Sequence, residues 1–222
     1  MRKILFVAGL ALTSSLASVS ALGGNDPAQD GRVVHVEGKV LLSRGKDVTQ
    51  LHEGDAVRSG DRLTSSSEAS AQIVWHGFAA VQLRPRSDVY VNTTQGHPDL
   101  RVKTGGMLTY VKPEGTADAG QTKVQRPRFT VRTRTATMGV RGTAFYVSTP
   151  EKASDPTYFC PCHGKIHVDY STKTAKHSEK DFDSKSHDDP RHLSDAAFDP
   201  VPKGTEPHHS EEEIQALEKL VE

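Results

Sequence analysis

The 222-residue sequence is poor in the side chains that build large cores: aromatic residues make up 6%, tryptophan occurs once, and hydrophobic residues of all kinds reach 35%. That supply suits one ordinary domain with an appendage, or two small ones. Net formal charge is zero, with 28 Lys and Arg against 28 Asp and Glu, so the cationic surplus of a nucleic-acid-binding chain is missing. Long apolar runs are missing too. The stretch from Ile4 to Leu12 is about half of the ~20 residues that a spanning helix needs, and no membrane span is expected. The sequence also contains no HExxH signature, no nucleophile motif and no thioredoxin-like βαβ pattern around its cysteines. These absences argue against an enzyme and leave no catalytic residue to name.

Met1-Arg2-Lys3, the apolar run and the small residues Val19-Ser20-Ala21 follow the three-part layout of a secretory signal peptide. Residues 1–21 are therefore expected to be removed after Ala21. A soluble periplasmic protein follows from that, with release beyond the cell also open. No cysteine for lipid attachment stands near the cleavage point.

From Val33 to Val147 one theme repeats, a short run rich in β-branched residues followed by a glycine or proline turn. Val33-Val-His-Val36 runs into Glu37-Gly38, Ala71-Gln-Ile-Val-Trp75 into His76-Gly77, and Ala80-Val-Gln-Leu83 into Arg84-Pro85. Further runs begin at Lys39, Asp88, Leu100, Met107, Arg128 and Thr143. With no helix-period segment between them, the runs predict an all-β fold, a single β-sandwich or a β-solenoid-like domain. Phe129 and Val131 alternate with Arg128, Thr130 and Arg132, so one face turns inward and a row of cations outward. Gly54-Asp55 and Gly60-Asp61 suit turns that need positive φ followed by a side chain bonding its own backbone, a reading preferred to a metal role.

The order of these pieces resembles the FecR-type domain of bacterial envelope proteins. The pieces are Glu37-Gly38-Lys39-Val40, the double turn from Gly54 to Leu63, Val81 to Val91, Leu100 to Leu108 with Gly105-Gly106 as a hairpin, and Phe129 to Phe145 with Val140-Arg141-Gly142-Thr143. The resemblance covers residues 31–149. Two departures stand out: His76-Gly77-Phe78 replaces the usual Asp-Gly-Ser turn, and the loop from Pro113 to Pro127 is long and polar. Phe78 is expected to tuck against Trp75. The resemblance implies a sensing or interaction module without catalysis. Because the chain opens on an export signal, it looks like the stand-alone exported form rather than a membrane-spanning regulator acting on a sigma factor.

Past Pro150 the character changes. Residues 24–150 carry 17 Lys and Arg against 12 Asp and Glu, a surplus of five cations, whereas residues 151–222 carry 9 against 16, a surplus of seven anions. An acidic tail docked on a basic domain is the plain use of that asymmetry. Residues 150–209 form a Cys/His extension, expected to hold one or two strands turning at Gly164 and then polar chain with little periodicity. Cys160 and Cys162 share one face of an extended strand, with Cα atoms ~6.6 Å apart and side chains parallel. Two ligands on one metal fit that geometry better than a disulfide, whose Cβ atoms must approach to ~4 Å. An oxidising compartment favours the disulfide, strained or redox-active. Both readings stay open. A metal would be zinc or copper, held by Cys160 and Cys162 with His163 or His167 and a distant histidine such as His187 or His192. Haem attachment is excluded because Cys160-Pro-Cys162-His163 is one residue short of the required spacing.

Ser210-Glu-Glu-Glu213 reads as a capping box, and Ile214, Leu217, Leu220 and Val221 form one stripe of a helix over 210–222. So short a helix is marginal alone and needs a surface to pack on. The leading expectation is thus an exported interaction module that meets an envelope protein or cell-wall polymer through its β surface, with Arg126, Arg128, Arg132, Arg134 and Arg141 as the candidate patch. A periplasmic metal-binding protein is the alternative. The pattern sets no oligomeric state.

Overall fold

The computed structural model describes residues 30–75, 77–94, 97–113, 129–170, 178–187, 189–194, 198–202 and 208–222. The expected signal peptide, His76, Arg126 and Arg128 lie outside the described residues. Fifteen strands and one helix follow in order: β1 Gly31–Glu37, β2 Val40–Arg44, β3 Asp47–Gln50, β4 Ala56–Val57, β5 Arg62–Ser65, β6 Ser70–Trp75, β7 Ala79–Leu83, β8 Asp88–Thr94, β9 His97–Val111, β10 Phe129–Arg132, β11 Ala136–Thr149, β12 Thr157–Tyr170, β13 Ser178–Ser184, β14 Arg191–Leu193, β15 Phe198–Pro200 and α1 Glu211–Lys219. The fold is all-β, as the repeated runs predict.

Two layers arise from one continuous sheet because three long strands change partners along their length. β9 pairs with β8 as far as Thr104, then with β11 from Gly105 and with β7 from Met107. β11 pairs with β10 over Thr137–Val140, and from Thr143 with β9. β12 follows β11 throughout, carrying β14 on its first part and β13 on its second. The first layer thus holds β3, β2, β5, β8, β10 and β13, the second holds β4, β1, β6, β7, β14 and β15, and the long strands belong to both.

Glycines sit where the long strands turn from one layer to the other. The hairpin expected at Gly105-Gly106 is absent, and the strand runs on through it. Gly105 takes φ 81°, and a Cβ there would fall 2.3 Å from Ser87 Oγ and 2.6 Å from the Arg86 carbonyl. Only glycine fits both demands, so the chain bends into the other layer instead of reversing. Gly142 and Gly164 bend β11 and β12 side by side, at φ 68° and 82°. A Cβ on Gly164 would lie 2.5 Å from the Gly142 carbonyl.

Between the layers lies the main core. Trp75 meets Phe129 edge-on at 6.0 Å, and Phe159 bridges Phe145 and Phe182 at 6.3 and 5.4 Å. Phe78 is buried in the same cluster, as expected, and its N–H donates to the Trp75 carbonyl. Both Gly-Asp turns close as their sequence requires: Asp55 accepts from the His52 N–H at 2.8 Å, and Asp61 from the Arg58 N–H at 2.7 Å. Asp61 is fully buried and also takes two hydrogen bonds from Arg44, so its charge is paired.

The polar stretch after 171 holds more order than its composition suggests. β13 pairs with β12 along seven residues, with Phe182 and Ser184 turned inward. Charged residues on its other positions suit an edge strand. α1 begins with the expected capping box between Ser210 and Glu213 and lays Ile214, Leu217 and Val221 over the outer face of the second layer. That face presents Ala80, Leu108, Ala144, Tyr146 and Tyr158. Among the described residues no helix is long and apolar enough to cross a membrane.

Candidate functional site

β12 places the cysteines. Tyr158, Cys160 and Cys162 alternate along the strand and all face α1. A bulge falls at Cys162: Ala144 pairs with His163 and Phe145 with Pro161, leaving Cys162 unpaired between them. The bulge also accounts for a proline inside a central strand, since Pro161 has no N–H to give to a regular ladder.

Three segments converge on the two sulfurs. The chain after β13 folds back so that the His187 N–H and the Ser184 hydroxyl both donate to the Cys162 carbonyl, at 3.3 and 3.2 Å. His187 adopts φ 46°, uncommon for a non-glycine residue, and this puts its Nδ1 3.6 Å from Cys160 Sγ. From the other side, the residue before the helix cap brings in His209. Its ring stacks on Tyr146 at 4.9 Å, with Nε2 3.1 Å from Cys162 Sγ and 3.0 Å from His187 Nδ1. His209 is 5% exposed, and its Nδ1 is buried without a hydrogen-bond partner among the described residues. Four potential ligand atoms, from Cys160, Cys162, His187 and His209, lie within 4.8 Å of one another.

Behind this cluster stands Glu211. It accepts from His187 Nε2 at 3.3 Å and from His163 Nε2 at 2.9 Å. The hydrogen bond to His163 and then its charge hold the Glu211 carboxyl below the usual range. A hydrogen bond from Cys162 draws Cys160 well below the ordinary thiol range, while burial and then the neighbouring sulfur push Cys162 up. Burial, reinforced by Cys160, pushes the Tyr158 hydroxyl up as well.

The structure brings together four of the expected metal ligands, in two overlapping groups: Cys160, Cys162 and His187 in one, His163 and His187 with Glu211 in the other. His192 is placed elsewhere, on β14 with its ring edge-on to Tyr158 at 6.1 Å. His209 takes the position sequence reasoning gave to a different imidazole. It lies in the stretch expected to be polar chain with little periodicity, and its one local signal is adjacency to the capping box. Of the arginine row, Arg132 donates to both oxygens of Asp99 at 2.9 Å and Arg134 to the Asp155 carbonyl at 2.8 Å. Arg141 stands opposite Lys165 in the β11–β12 ladder.

The fold is all-β with shared bent strands, and it carries a thiol–imidazole cluster on one outer face. Residues 61–159 match the family model described as FecR protein. This stretch of the chain is therefore similar to a FecR-type domain. The match ends one position before Cys160, so the cluster lies beyond the matched residues. No curated protein matches the sequence. Among solved structures, two crystal structures of a candidate anti-sigma factor from Parabacteroides distasonis are similar, at 15% identity with TM-score 0.48 and at 16% with TM-score 0.45. They cover 63% and 62% of this chain, and the similarity spans 57% and 56% of their own length.

Proposed function

We propose that this chain is a non-catalytic sensing and interaction module of FecR type, exported to the periplasm, which recognises an envelope protein through the outer face of its second layer. One observation carries the reading. That face is apolar across β7, β9, β11 and β12, and its cover is a nine-residue helix, too short to be stable by itself. Helix and face are also matched in charge. Arg84 makes two hydrogen bonds to Glu213, at 2.5 and 2.7 Å, so part of the acidic tail docks on the basic domain. A surface that accepts one amphipathic helix with an acidic first turn is suited to a partner segment of the same pattern. The leader-like residues 1–21 support the compartment.

Polymer binding through the arginine row is the weaker reading, since Arg132 and Arg134 are already engaged within the domain. The test uses the full chain and a Glu213→Arg variant, which repels Arg84 and loosens the cover while leaving the face intact. Envelope proteins retained on each are challenged with a synthetic peptide of residues 208–222. The variant should retain one protein more strongly, and the peptide should displace it. Equal retention that the peptide leaves unchanged overturns the reading. Retention of cell-wall polymer alone, abolished by salt, hands the role to the arginines, and turnover of any substrate ends the non-catalytic assignment.

A further inference from the structure

We infer that Cys160, Cys162, His187 and His209 form a four-coordinate zinc site, and that the ion staples α1 over the second layer. The second half of this inference rests on the reading of α1 as the cover of the recognition face.

Donor chemistry comes first. Two sulfurs and two imidazole nitrogens form a closed soft-to-borderline set with no carboxylate among them, which suits zinc and not calcium or magnesium. Spacing agrees. Bonds of about 2.3 Å to sulfur and about 2.0–2.1 Å to nitrogen, in a tetrahedron, hold neighbouring donor atoms roughly 3.3–3.8 Å apart. The structure has 3.6 Å between Cys160 Sγ and His187 Nδ1, 3.1 Å between Cys162 Sγ and His209 Nε2, and 3.0 Å between the two ring nitrogens. Small outward shifts would admit the ion.

The surroundings point the same way. Glu211 binds the far nitrogen of His187 and thereby fixes the tautomer that leaves Nδ1 free toward the sulfurs, the usual carboxylate–histidine arrangement behind a metal. The positive φ of His187 is held by the bond from its N–H to the Cys162 carbonyl, so the ligand is aimed by the backbone. His209, buried with one nitrogen unpartnered among the described residues and the other shared between a thiol and a second imidazole, is poorly satisfied by those groups alone.

Topology gives the site its consequence. Two ligands come from β12, in the middle of the sheet, one from the chain after β13, and one from the residue just ahead of the helix cap. An ion bound to all four therefore ties the start of α1 to the sheet. The helix is otherwise held by its two buried apolar side chains, Ile214 and Leu217, by Val221 just past its end, by the Arg84–Glu213 pair, and by hydrogen bonds from Tyr110 to Glu218 and from Lys112 to the Val221 carbonyl.

The full chain, reduced and kept free of oxygen, is titrated with Zn²⁺ alone and with Co²⁺ as a spectroscopic substitute, while hydrogen exchange of residues 211–219 is followed. One zinc per chain, a tetrahedral cobalt spectrum with thiolate charge-transfer bands, and slowed exchange in α1 are expected. His209→Ala should weaken zinc binding on the order of 100-fold or more, and Glu211→Gln about 10–100-fold. His192→Ala should change it less than about threefold, since that ring lies outside the donor set. His209 and Glu211 flank the helix start rather than the main core, so these variants keep the test open where a double cysteine substitution fails to fold. Equal loss in His192→Ala and His209→Ala overturns the site. So does protein from its native compartment with Cys160 and Cys162 oxidised and no stoichiometric zinc, or with copper in its place. Zinc bound without slowed exchange keeps the site and overturns the staple. Neither readout involves a partner, so the two proposals fail separately.

Discussion

The two faces of the second layer are built from the same strands and closed in different ways. On the inner face Trp75, Met107, Phe145 and Phe159 are at most 1% exposed and press against another layer of the same sheet. On the outer face Tyr146, Tyr158, Leu108 and two alanines meet a helix of nine residues. Removing the inner cover would require breaking β ladders. Lifting the outer one breaks a few side-chain contacts and no strand pairing. The side chains reflect this: the inner set is mainly apolar, with a few buried threonines such as Thr109, while the outer set carries hydroxyls, thiols and imidazoles that stabilise the cover through specific partners. One sheet thus has a permanent lining and a removable one.

Substitutions graded across the two faces sharpen the contrast. Phe145→Ala should cost about 3–5 kcal/mol and lower the single unfolding midpoint in denaturant, because its cavity opens inside the shared core. Leu217→Ala, equally buried, should cost about 2 kcal/mol, seen mainly as faster hydrogen exchange in α1 with the strands protected as before. Equal global destabilisation by both would abolish the distinction. Ser210→Ala removes the cap that accepts from the Glu213 N–H and should cost about 1 kcal/mol, again confined to the helix.

Acid should act on the outer face first. The hydrogen bond from Arg84, ahead of the opposing effect of burial, holds the Glu213 carboxyl below its ordinary value. Its contribution is complete above the unfolded carboxyl pKa of ~4.3 and is lost as pH falls through the lower folded value. Near-ultraviolet circular dichroism of the tyrosines should therefore hold steady from neutrality to about pH 5 and change below ~4. In Arg84→Ala the change should move upward, toward the ordinary carboxyl range. A transition unmoved by that substitution would assign it to other carboxyls.

Local chemistry was readable in the sequence, and long-range convergence was not. The Gly54-Asp55 and Gly60-Asp61 turns close within three residues, so their residue types announce them. Phe78 beside Trp75 and the same-face cysteines follow from neighbouring positions and a period of two. Gly105-Gly106 was misread as a hairpin because a positive-φ glycine serves a reversal and a bend equally well, and only the contact with Ser87 separates them. β13 was missed because two inward side chains, Phe182 and Ser184, leave no alternation to notice. His209 escaped for a different reason. Its partner Cys162 is 47 residues away, and the docking of α1 brings them together. His192, nearer in sequence to the cysteines, is drawn off by the pairing of β14 with the start of β12.

The paired bends at Gly142 and Gly164 place a rule on chain length. Because β11 and β12 fold over at the same crease, a single residue added to β12 between Phe159 and Cys160, with the strand's start held against β14, would invert the positions from there to the crease, turning Cys160 toward Phe145 and its neighbours. Reporter or affinity tags that are to spare this architecture belong in the connections between strands, where an insertion alters no side chain's facing.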